Sequence, residues 1–220
     1  MTFGPTELHK CPYCKKLYLK RTLRSGNTIG ARYYTDGKMI APMQEEFPQI
    51  TKCANCDAIF WLNNHIDENL GSDKEIEITY PGAVYARFLA PHEYQEALSL
   101  KMYRSISEET FLRMKLWYTF NDRIRDLPID SSETTLINTI FINENDQFIY
   151  EENARNLIEL LDKSEENRRI SAAELNRNLG QFIDAIMLLD TVIDPKYQFT
   201  TAFLKKKCEE SNKFTCIINV

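Results

Sequence analysis

The chain has 220 residues, of which 43% are hydrophobic and 27% charged, and its net formal charge is −5 at pH 7. This composition is typical of a globular protein with one large or two small domains, and it excludes disorder over most of the length. No apolar run approaches the ~20 residues that span a bilayer, and the start MTFGPTELHK lacks the apolar segment of a signal peptide, so we expect a cytoplasmic protein without a membrane partner.

The charge divides the chain into a basic head and an acidic body. Residues 1–60 carry nine Lys/Arg against five Asp/Glu, a balance of +4, whereas residues 61–220 carry a balance of −9. Short strand-like runs also give way to helical periodicity near Pro91. We therefore predict an α+β fold with a β-rich head at 1–90 and a helical domain at 91–220.

The first motif is CPYC, which begins at Cys11 and is also the redox motif of glutaredoxins. A dithiol of that kind needs a buried strand before the first Cys and a helix after it, because the helix N-terminus stabilises the thiolate. The segment before Cys11 is short and polar, and Lys20, Arg21 and Arg24 interrupt any apolar helical stripe after it. A CxxC thiol oxidoreductase is therefore the least favoured hypothesis.

Short strands and turns are predicted for most of the remaining head. Asp36-Gly37 separates two β-friendly runs, and such a pair supplies the positive φ of a tight hairpin turn. The other predicted strands are residues 17–19, 50–52 and 58–62 and the alternating Ile76, Ile78 and Tyr80.

A second C-x2-C pair, CANC, follows the first after 38 residues and supplies Cys53 and Cys56. Together with Cys11 and Cys14, it offers four thiolates in two turns, which suits the tetrahedral preference of zinc. The hairpin at Asp36-Gly37 accounts for the long insert between the pairs. The four cysteines are thus the predicted metal ligands.

The segments KCPYCKK and KCANCDA resemble the two knuckles of the zinc-ribbon and rubredoxin-like group. The resemblance covers residues 8–62 and implies a closed structural site for Zn²⁺, with iron as the alternative metal. Lys15 and Asp57 stand where a Gly often follows the second Cys of a knuckle. His9 and His65 are candidates for the outer shell of the site.

The basic window at residues 10–32 has two interpretations. Its cations, with Tyr13 and Tyr18 nearby, are candidates for binding nucleic acid, as in several zinc ribbons. Alternatively, the cations offset the charge of −2 that Zn²⁺ and four thiolates carry together. The candidate residues are Lys15, Lys16, Lys20, Arg21 and Arg24.

Helical periodicity predicts five helices in the body, the first of which opens with a capping box formed by Ser105 and Glu108. Between the first two helices, no helical stripe is evident, and we predict a long loop at about 128–150 with a strand-like piece at 140–142. Cys208 and Cys216 lack ligand spacing and are expected to be buried or free thiols. The predicted helices cover residues 107–126, 151–163, 166–179, 182–193 and 197–212.

The third and fourth of these helices resemble a tetratricopeptide repeat (TPR) hairpin. Gly180, Phe182 and Ala185 fall at the offsets where the repeat has Gly, an aromatic residue and Ala, although Arg169 and Asn176 replace its other aromatic positions. The resemblance implies a short array of helix pairs whose concave surface binds a peptide or protein.

From these features we expect a non-enzymatic binding or adaptor protein with an unidentified protein or peptide partner. A nucleic-acid-binding zinc ribbon is the alternative. Exposed polar residues on the concave surface are the candidates for partner binding, and they are Asn121, Arg123, Asn176 and Arg177.

Overall fold

The computed structural model describes residues 1–63, 65–70, 73–128 and 130–218. The fold is α+β, as predicted, with small β-sheets toward the N-terminus and mainly helices toward the C-terminus. Two compact units are present: Met1–Ala31 with Ile40–Met102, which we call the β-rich unit, and Arg32–Met39 with Tyr103–Val220, which we call the helical unit. Among the described residues, no helix is both long and apolar enough to cross a bilayer.

The elements follow one another along the chain from strands to helices. The strands are β1 (Thr2–Phe3), β2 (Thr6–Lys10), β3 (Leu17–Lys20), β4 (Leu23–Ser25), β5 (Arg32–Tyr34), β6 (Met39–Ile40), β7 (Ile50–Lys52), β8 (Ile59–Trp61), β9 (His65–Leu70), β10 (Val84–Tyr85) and β11 (Ile217–Ile218). The helices are α1 (Asp73–Thr79), α2 (Pro91–Ser99), α3 (Ile106–Asp122), α4 (Glu133–Ile140), α5 (Asp146–Leu160), α6 (Glu166–Asn178), α7 (Phe182–Asp190) and α8 (Gln198–Glu209), with a 3-10 turn at Pro195–Tyr197 before α8.

The β-rich unit is built on a four-stranded sheet in the order β10-β3-β2-β9 and on two-stranded pairs β1-β4 and β7-β8. β2 runs antiparallel to both of its neighbours, and β10 runs parallel to β3. Leu8 and Leu19 bury their side chains with Ile76 of α1 in one apolar cluster. The sheet therefore holds the ends of β2 and β3 at a fixed spacing, which matters for the metal ligands.

Three strand predictions in this unit are confirmed, because β3, β7 and β8 lie where they were expected. The strand predicted at Ile76, Ile78 and Tyr80 is wrong, since Ile76 and Ile78 lie in α1. Ile76 is buried on the sheet, whereas Ile78 is 81% exposed. The alternation therefore marks one buried helix position and one solvent-facing position rather than one face of a strand.

The β-rich unit extends to Met102, beyond the predicted boundary at residue 90. α2 belongs to it and buries Tyr94, Ala97 and Leu98. The chain after α2 is fixed by the indole N–H of Trp61, which donates to the Met102 carbonyl at 2.5 Å. A helix at residues 91–99 thus completes the β-rich unit.

The helical unit contains helices at all five predicted positions, in α3, α5, α6, α7 and α8. The long loop predicted at 128–150 is wrong, because α4 and the first turn of α5 lie within it. Ser132 starts α4 by accepting the Thr135 N–H at 3.2 Å, and Ile140 at its end is buried. The strand-like piece at 140–142 is wrong too, since its first residue closes that helix.

α6, α7 and α8 share one core, in which Ala173, Ala185 and Leu204 are almost fully buried. Gly180 separates α6 from α7 with φ +75°, the left-handed conformation that commonly follows a helix C-cap. Half of the predicted capping box of α3 is present: Ser105 Oγ accepts the Glu108 N–H at 3.2 Å, but the Glu108 carboxylate accepts from the Arg104 N–H at 2.6 Å and not from Ser105.

A short hairpin, Arg32–Met39, is part of the helical unit although it lies between the two C-x2-C pairs in the sequence. Its turn is the predicted one: Gly37 has φ +82°, and the Tyr34 N–H donates to the Lys38 carbonyl at 3.0 Å. β5 of the hairpin pairs antiparallel with β11 at the C-terminus. The helical unit is therefore completed by a segment distant in sequence from its helices.

Candidate metal centre

Each C-x2-C pair lies in a turn between two antiparallel strands. Cys11 follows the end of β2, and β3 begins three residues after Cys14. Cys53 follows the end of β7, and β8 begins three residues after Cys56. The strand pairing therefore fixes the first cysteine of each pair at the start of its turn.

The two turns have the same backbone hydrogen bonds. Cys11 N–H donates to the Lys16 carbonyl at 2.9 Å, and Lys15 N–H donates to the Cys11 carbonyl at 3.1 Å. The corresponding bonds from Cys53 to Ala58 and from Asp57 to Cys53 are both 2.9 Å. The sequence likeness between KCPYCKK and KCANCDA thus reflects two copies of one turn.

The four sulfurs converge on one point, with all Sγ atoms within 4.8 Å of one another. Cys11 Sγ lies 3.7 Å from Cys56 Sγ, and Cys14 Sγ lies 3.4 Å from Cys53 Sγ. A tetrahedral zinc with Zn–S bonds of about 2.3 Å has S–S edges of about 3.8 Å, whereas a disulfide bond is about 2.05 Å long. These two spacings fit ligands of one ion, and all four cysteines are free of disulfide bonds.

The thiols differ in how readily they ionise. Burial opposes ionisation of Cys53, but hydrogen bonds from Tyr18 and from two backbone amides outweigh it and lower the pKa of Cys53 to about 6. A bond from the Ala58 amide favours the Cys56 thiolate, yet burial and the three other sulfurs raise the pKa of Cys56 to about 12. Hydrogen bonds from the Lys16 N–H and the Asn55 side chain lower the pKa of Cys14 as well. Two of the thiols therefore ionise more readily than a free cysteine, and a cation is needed to ionise all four.

Tyr18 supports the site from β3. Its side chain is 2% exposed and packs edge-on against Phe60, with ring centroids 5.3 Å apart. Its hydroxyl accepts the Ala54 N–H at 2.6 Å and donates to the Cys53 sulfur. Burial and that contact raise the pKa of Tyr18 to about 12. Tyr18 thus positions a ligand, whereas the sequence suggested it as a surface residue that stacks bases.

The two turns differ at this supporting position in a complementary way. Phe60 follows Cys56 by four residues, as Tyr18 follows Cys14, and Pro12 follows Cys11 as Ala54 follows Cys53. The first turn supplies the Tyr18 hydroxyl and the second supplies the Ala54 N–H that bonds to it, whereas Pro12 and Phe60 lack the corresponding N–H and hydroxyl. Alignment of the two turns in the sequence shows this difference, and the alignment would have identified Tyr18 as a residue that supports the metal ligands.

We expect Tyr18→Phe to weaken metal binding about 10-fold to 100-fold, because outer-shell partners of metal ligands typically have effects of this size. The Ala54 N–H also loses its acceptor, and a lost hydrogen bond of this kind costs about 0.5–1.5 kcal/mol of stability. Competition titration with a chromogenic chelator measures the affinity. Tyr13→Phe is the control, since Tyr13 is in the same turn but 66% exposed. Equal affinities for both variants would contradict the role of Tyr18.

Lys15 and Asp57 occupy the glycine position of their turns, with φ +69° and +57°. A left-handed conformation costs a residue with a side chain about 1–2 kcal/mol, and less for Asp. We expect Lys15→Gly to stabilise the β-rich unit by roughly 0.5–1 kcal/mol and Asp57→Gly by less. Urea unfolding measures both. The control is Lys10→Gly at the end of β2, which should destabilise the β-rich unit by a similar amount. If Lys15→Gly also destabilises the unit, strain at the left-handed position is not the reason for the effect.

The basic residues near the first turn are partly engaged with the chain itself. Lys15 Nζ donates to the Pro12 carbonyl and Lys16 Nζ to the Gly82 carbonyl, each at 2.6 Å. Lys20 lies 3.3 Å from the Glu7 carboxylate. The Arg21 guanidinium stacks 4.7 Å above the Tyr85 ring, and Arg24 is exposed. Three of the five candidate cations therefore direct their ammonium groups at oxygens of this unit.

The histidines suggested for the outer shell lie against each other. His9 is buried, its Nε2 is 3.0 Å from Glu7 Oε2, and its ring meets that of His65 edge-on at 6.4 Å. His9 therefore belongs to the β2-β9 pair of the sheet.

The prediction that four exposed polar residues bind a partner is wrong. Asn121 and Arg177 are 0% exposed, and Asn176 is 8% exposed, with its amide bonded to the Ala172 carbonyl. Arg123 donates to the Ile140 carbonyl and to Asp146, both at 2.6 Å. Asn121, Asn176 and Arg177 are thus internal, and the Arg123 side chain, 19% exposed, is held by groups from another segment, so the four do not form the exposed surface that was predicted.

Comparisons with known proteins give no match for this chain among protein-family models, curated proteins or solved structures. The geometry of the four cysteines is thus the strongest indication of what the chain binds.

Proposed function

We propose that this chain is a non-enzymatic binding protein in which Cys11, Cys14, Cys53 and Cys56 hold a structural Zn²⁺ and the helical unit recognises a protein partner. The observation that carries the metal assignment is the convergence of all four sulfurs within 4.8 Å. Four protein ligands complete a tetrahedral zinc and leave no coordination position for a substrate. A reducing cytoplasm, the predicted location, keeps such thiols available for metal.

The proposal that the helical unit recognises a protein rests on α7, and its TPR-like character rests on Gly180, Phe182 and Ala185 in the α6-α7 hairpin. The α7 side chains Ile183 and Met187, one turn apart, are 76% and 57% exposed. Exposed apolar side chains clustered on one helix face are typical of interaction sites. Asp184 and Asp190 border them. A partner segment with apolar residues flanked by Lys or Arg complements this face.

Capture from lysate of the source cells tests this proposal. We expect the immobilised chain to retain a partner that the Ile183→Lys/Met187→Lys variant binds at least ~10-fold more weakly. Ile106→Lys is the matched control, since Ile106 is 69% exposed in the same unit. Loss with the control alone, or equal capture by all three proteins, would refute the assignment to α7. Salt-dependent binding of single-stranded RNA that Lys15→Glu/Lys16→Glu/Arg21→Glu abolishes would instead favour the nucleic-acid alternative.

A further inference from the structure

A cavity of about 490 Å³ lies within the helical unit, where it is lined by the hairpin Arg32–Met39, by α8 and by the C-terminal segment. Cavities that hold small organic molecules in proteins have volumes of about 300–1,000 Å³. Much of the wall is apolar, and its apolar residues include Leu127, Leu136, Phe203, Phe214 and Ile217. The cavity therefore has the size and the lining of a site for a small molecule.

Two buried hydroxyl groups belong to residues of this wall, Tyr34 and Thr215, and neither has a hydrogen-bond partner among the described residues. Tyr34 is 3% exposed and Thr215 is 8% exposed. The pairing of β5 with β11 places Tyr34 opposite Ile217, and Thr215 precedes Ile217 by two residues. Most buried hydroxyls in proteins are hydrogen-bonded, and a polar atom of a ligand in the cavity would bond these two.

The charges near the Tyr34 hydroxyl place it beside the cavity. Burial raises the pKa of Tyr34, and the charged groups that act most strongly on that pKa are Arg32, Arg125 and Asp126. All three residues line the cavity. The hydroxyl is therefore protonated at neutral pH and able to donate a hydrogen bond to a ligand.

The Tyr34 ring is held in position by an ion pair that anchors the hairpin. The side chains of Asp36 and Arg125 are 0% and 2% exposed, and Arg125 Nη1 donates to Asp36 Oδ1 at 3.2 Å. Asn121 Nδ2 donates to Asp36 Oδ2 at 2.9 Å. The Arg125 guanidinium also lies 4.4 Å from the centre of the Tyr34 ring. Arg125 is thus engaged by the chain itself and fixes the wall.

Two other cations of the wall are available to a ligand. Arg32 pairs with Asp126 at 3.1 Å, and Lys207 pairs with Glu210 at 2.6 Å. The side chains of Arg32 and Asp126 are 46% and 82% exposed, and exposed ion pairs contribute little to stability. Among the described residues of the wall, three are cations and one, Asp126, is an anion. The wall therefore favours a ligand with negative charge.

We propose that this cavity binds a small carboxylic acid with an apolar body, whose carboxylate accepts hydrogen bonds from the Tyr34 and Thr215 hydroxyls. Arg32 and Lys207 balance its charge, and its body packs against Phe203 and the other apolar residues of the wall. The two hydroxyls would also suit a neutral alcohol, but the excess of cations selects an anion. This inference depends neither on the metal nor on the α7 face.

Isothermal titration calorimetry with decanoate tests the proposal, and 1-decanol, which has the same chain without the carboxylate, is the control ligand. We expect decanoate to bind with a Kd of roughly 10–100 μM and 1-decanol at least ~10-fold more weakly. Tyr34→Phe and Thr215→Val each remove one hydroxyl and keep the shape of the side chain, so each should weaken decanoate binding about 10-fold. Tyr33→Phe is the matched control, since Tyr33 is in the same strand but 42% exposed.

Two further measurements separate contact with a ligand from a structural role. Because neither hydroxyl has a partner among the described residues, Tyr34→Phe and Thr215→Val should leave the melting temperature unchanged or raise it. Asp126→Asn should bind decanoate about 2-fold to 5-fold more tightly, because it removes a carboxylate that competes for Arg32. No binding of decanoate, equal binding of 1-decanol, or wild-type affinity in both hydroxyl variants would each overturn the proposal.

Discussion

Removal of the metal is expected to unfold the β-rich unit and leave the helical unit folded. The core of that unit includes the ligands themselves, since Cys11 and Cys53 are buried with Tyr18, Phe60 and Leu62. Structural zinc contributes on the order of 10 kcal/mol in metal-binding peptides, and a whole domain is stable by only about 5–15 kcal/mol. The remaining apolar contacts are therefore insufficient.

The two tryptophans make this prediction specific, because Trp61 lies in the β-rich unit and Trp117 in the helical unit. In a Trp117→Phe protein, a strong chelator should shift the emission of Trp61 to longer wavelength, and added Zn²⁺ should reverse the shift. In a Trp61→Phe protein, the emission of the buried Trp117 should not change. If chelation removes the metal and Trp61 emission is unaltered, the metal is not structural.

Acid should weaken metal binding, because each thiol that is protonated must release its proton to bind. At neutral pH, the Cys53 thiol, with pKa about 6, is mostly ionised, whereas the Cys56 thiol, with pKa about 12, must release a proton to bind. Affinity therefore falls about tenfold per pH unit for that proton, and more steeply below pH 6 as Cys53 also becomes protonated. Chelator competition between pH 8 and 5 measures the slope, and a flat profile would argue against thiolate ligation.

The second large effect is expected for Asp36→Ala, which should destabilise the helical unit by about 3–5 kcal/mol. The substitution leaves the Arg125 guanidinium buried and without its main counter-ion, although Asp122 still accepts from its Nε at 2.6 Å. Urea unfolding followed by Trp117 fluorescence in a Trp61→Phe background measures the change.

Asp126→Ala is the matched control for this substitution. Asp126 also pairs with an arginine of the helical unit, Arg32 at 3.1 Å, but its side chain is 82% exposed. Exposed pairs contribute about 0–1 kcal/mol. Similar losses for Asp36→Ala and Asp126→Ala would show that the hairpin is not anchored by its carboxylate.

Local signals in the sequence predicted most of the elements and the metal ligands. The paired C-x2-C spacing, the Asp36-Gly37 turn and Gly180 act through backbone geometry within a few residues, so a single segment contains the information. The helix stripes around Trp117 and Ala185 are similarly local. α4 was not predicted because it is short and because three of its eight residues are Thr, which lowers its helix propensity.

The errors at Asn121 and Arg177 concern contacts between distant segments. Asn121 and Arg177 have the polarity of solvated helix residues, but Asp36, Thr35 and the carbonyl of Phe214 satisfy them inside the unit. The hydrophobic periodicity of a helix does not reveal a hydrogen-bond partner that lies tens of residues away in the sequence. Buried polar residues of this kind are assigned to the surface by pattern alone, whereas an apolar residue is assigned to the core.

Metal analysis of the purified protein is the most direct measurement of the central claim, that four cysteines hold a structural zinc. We expect one equivalent of zinc per wild-type chain, less than ~0.1 equivalent in Cys53→Ser, and one equivalent in the control Cys208→Ala, whose sulfur is buried in the helical unit. A wild-type chain that binds no metal under reducing conditions, or a Cys53→Ser chain that retains a full equivalent, would contradict it.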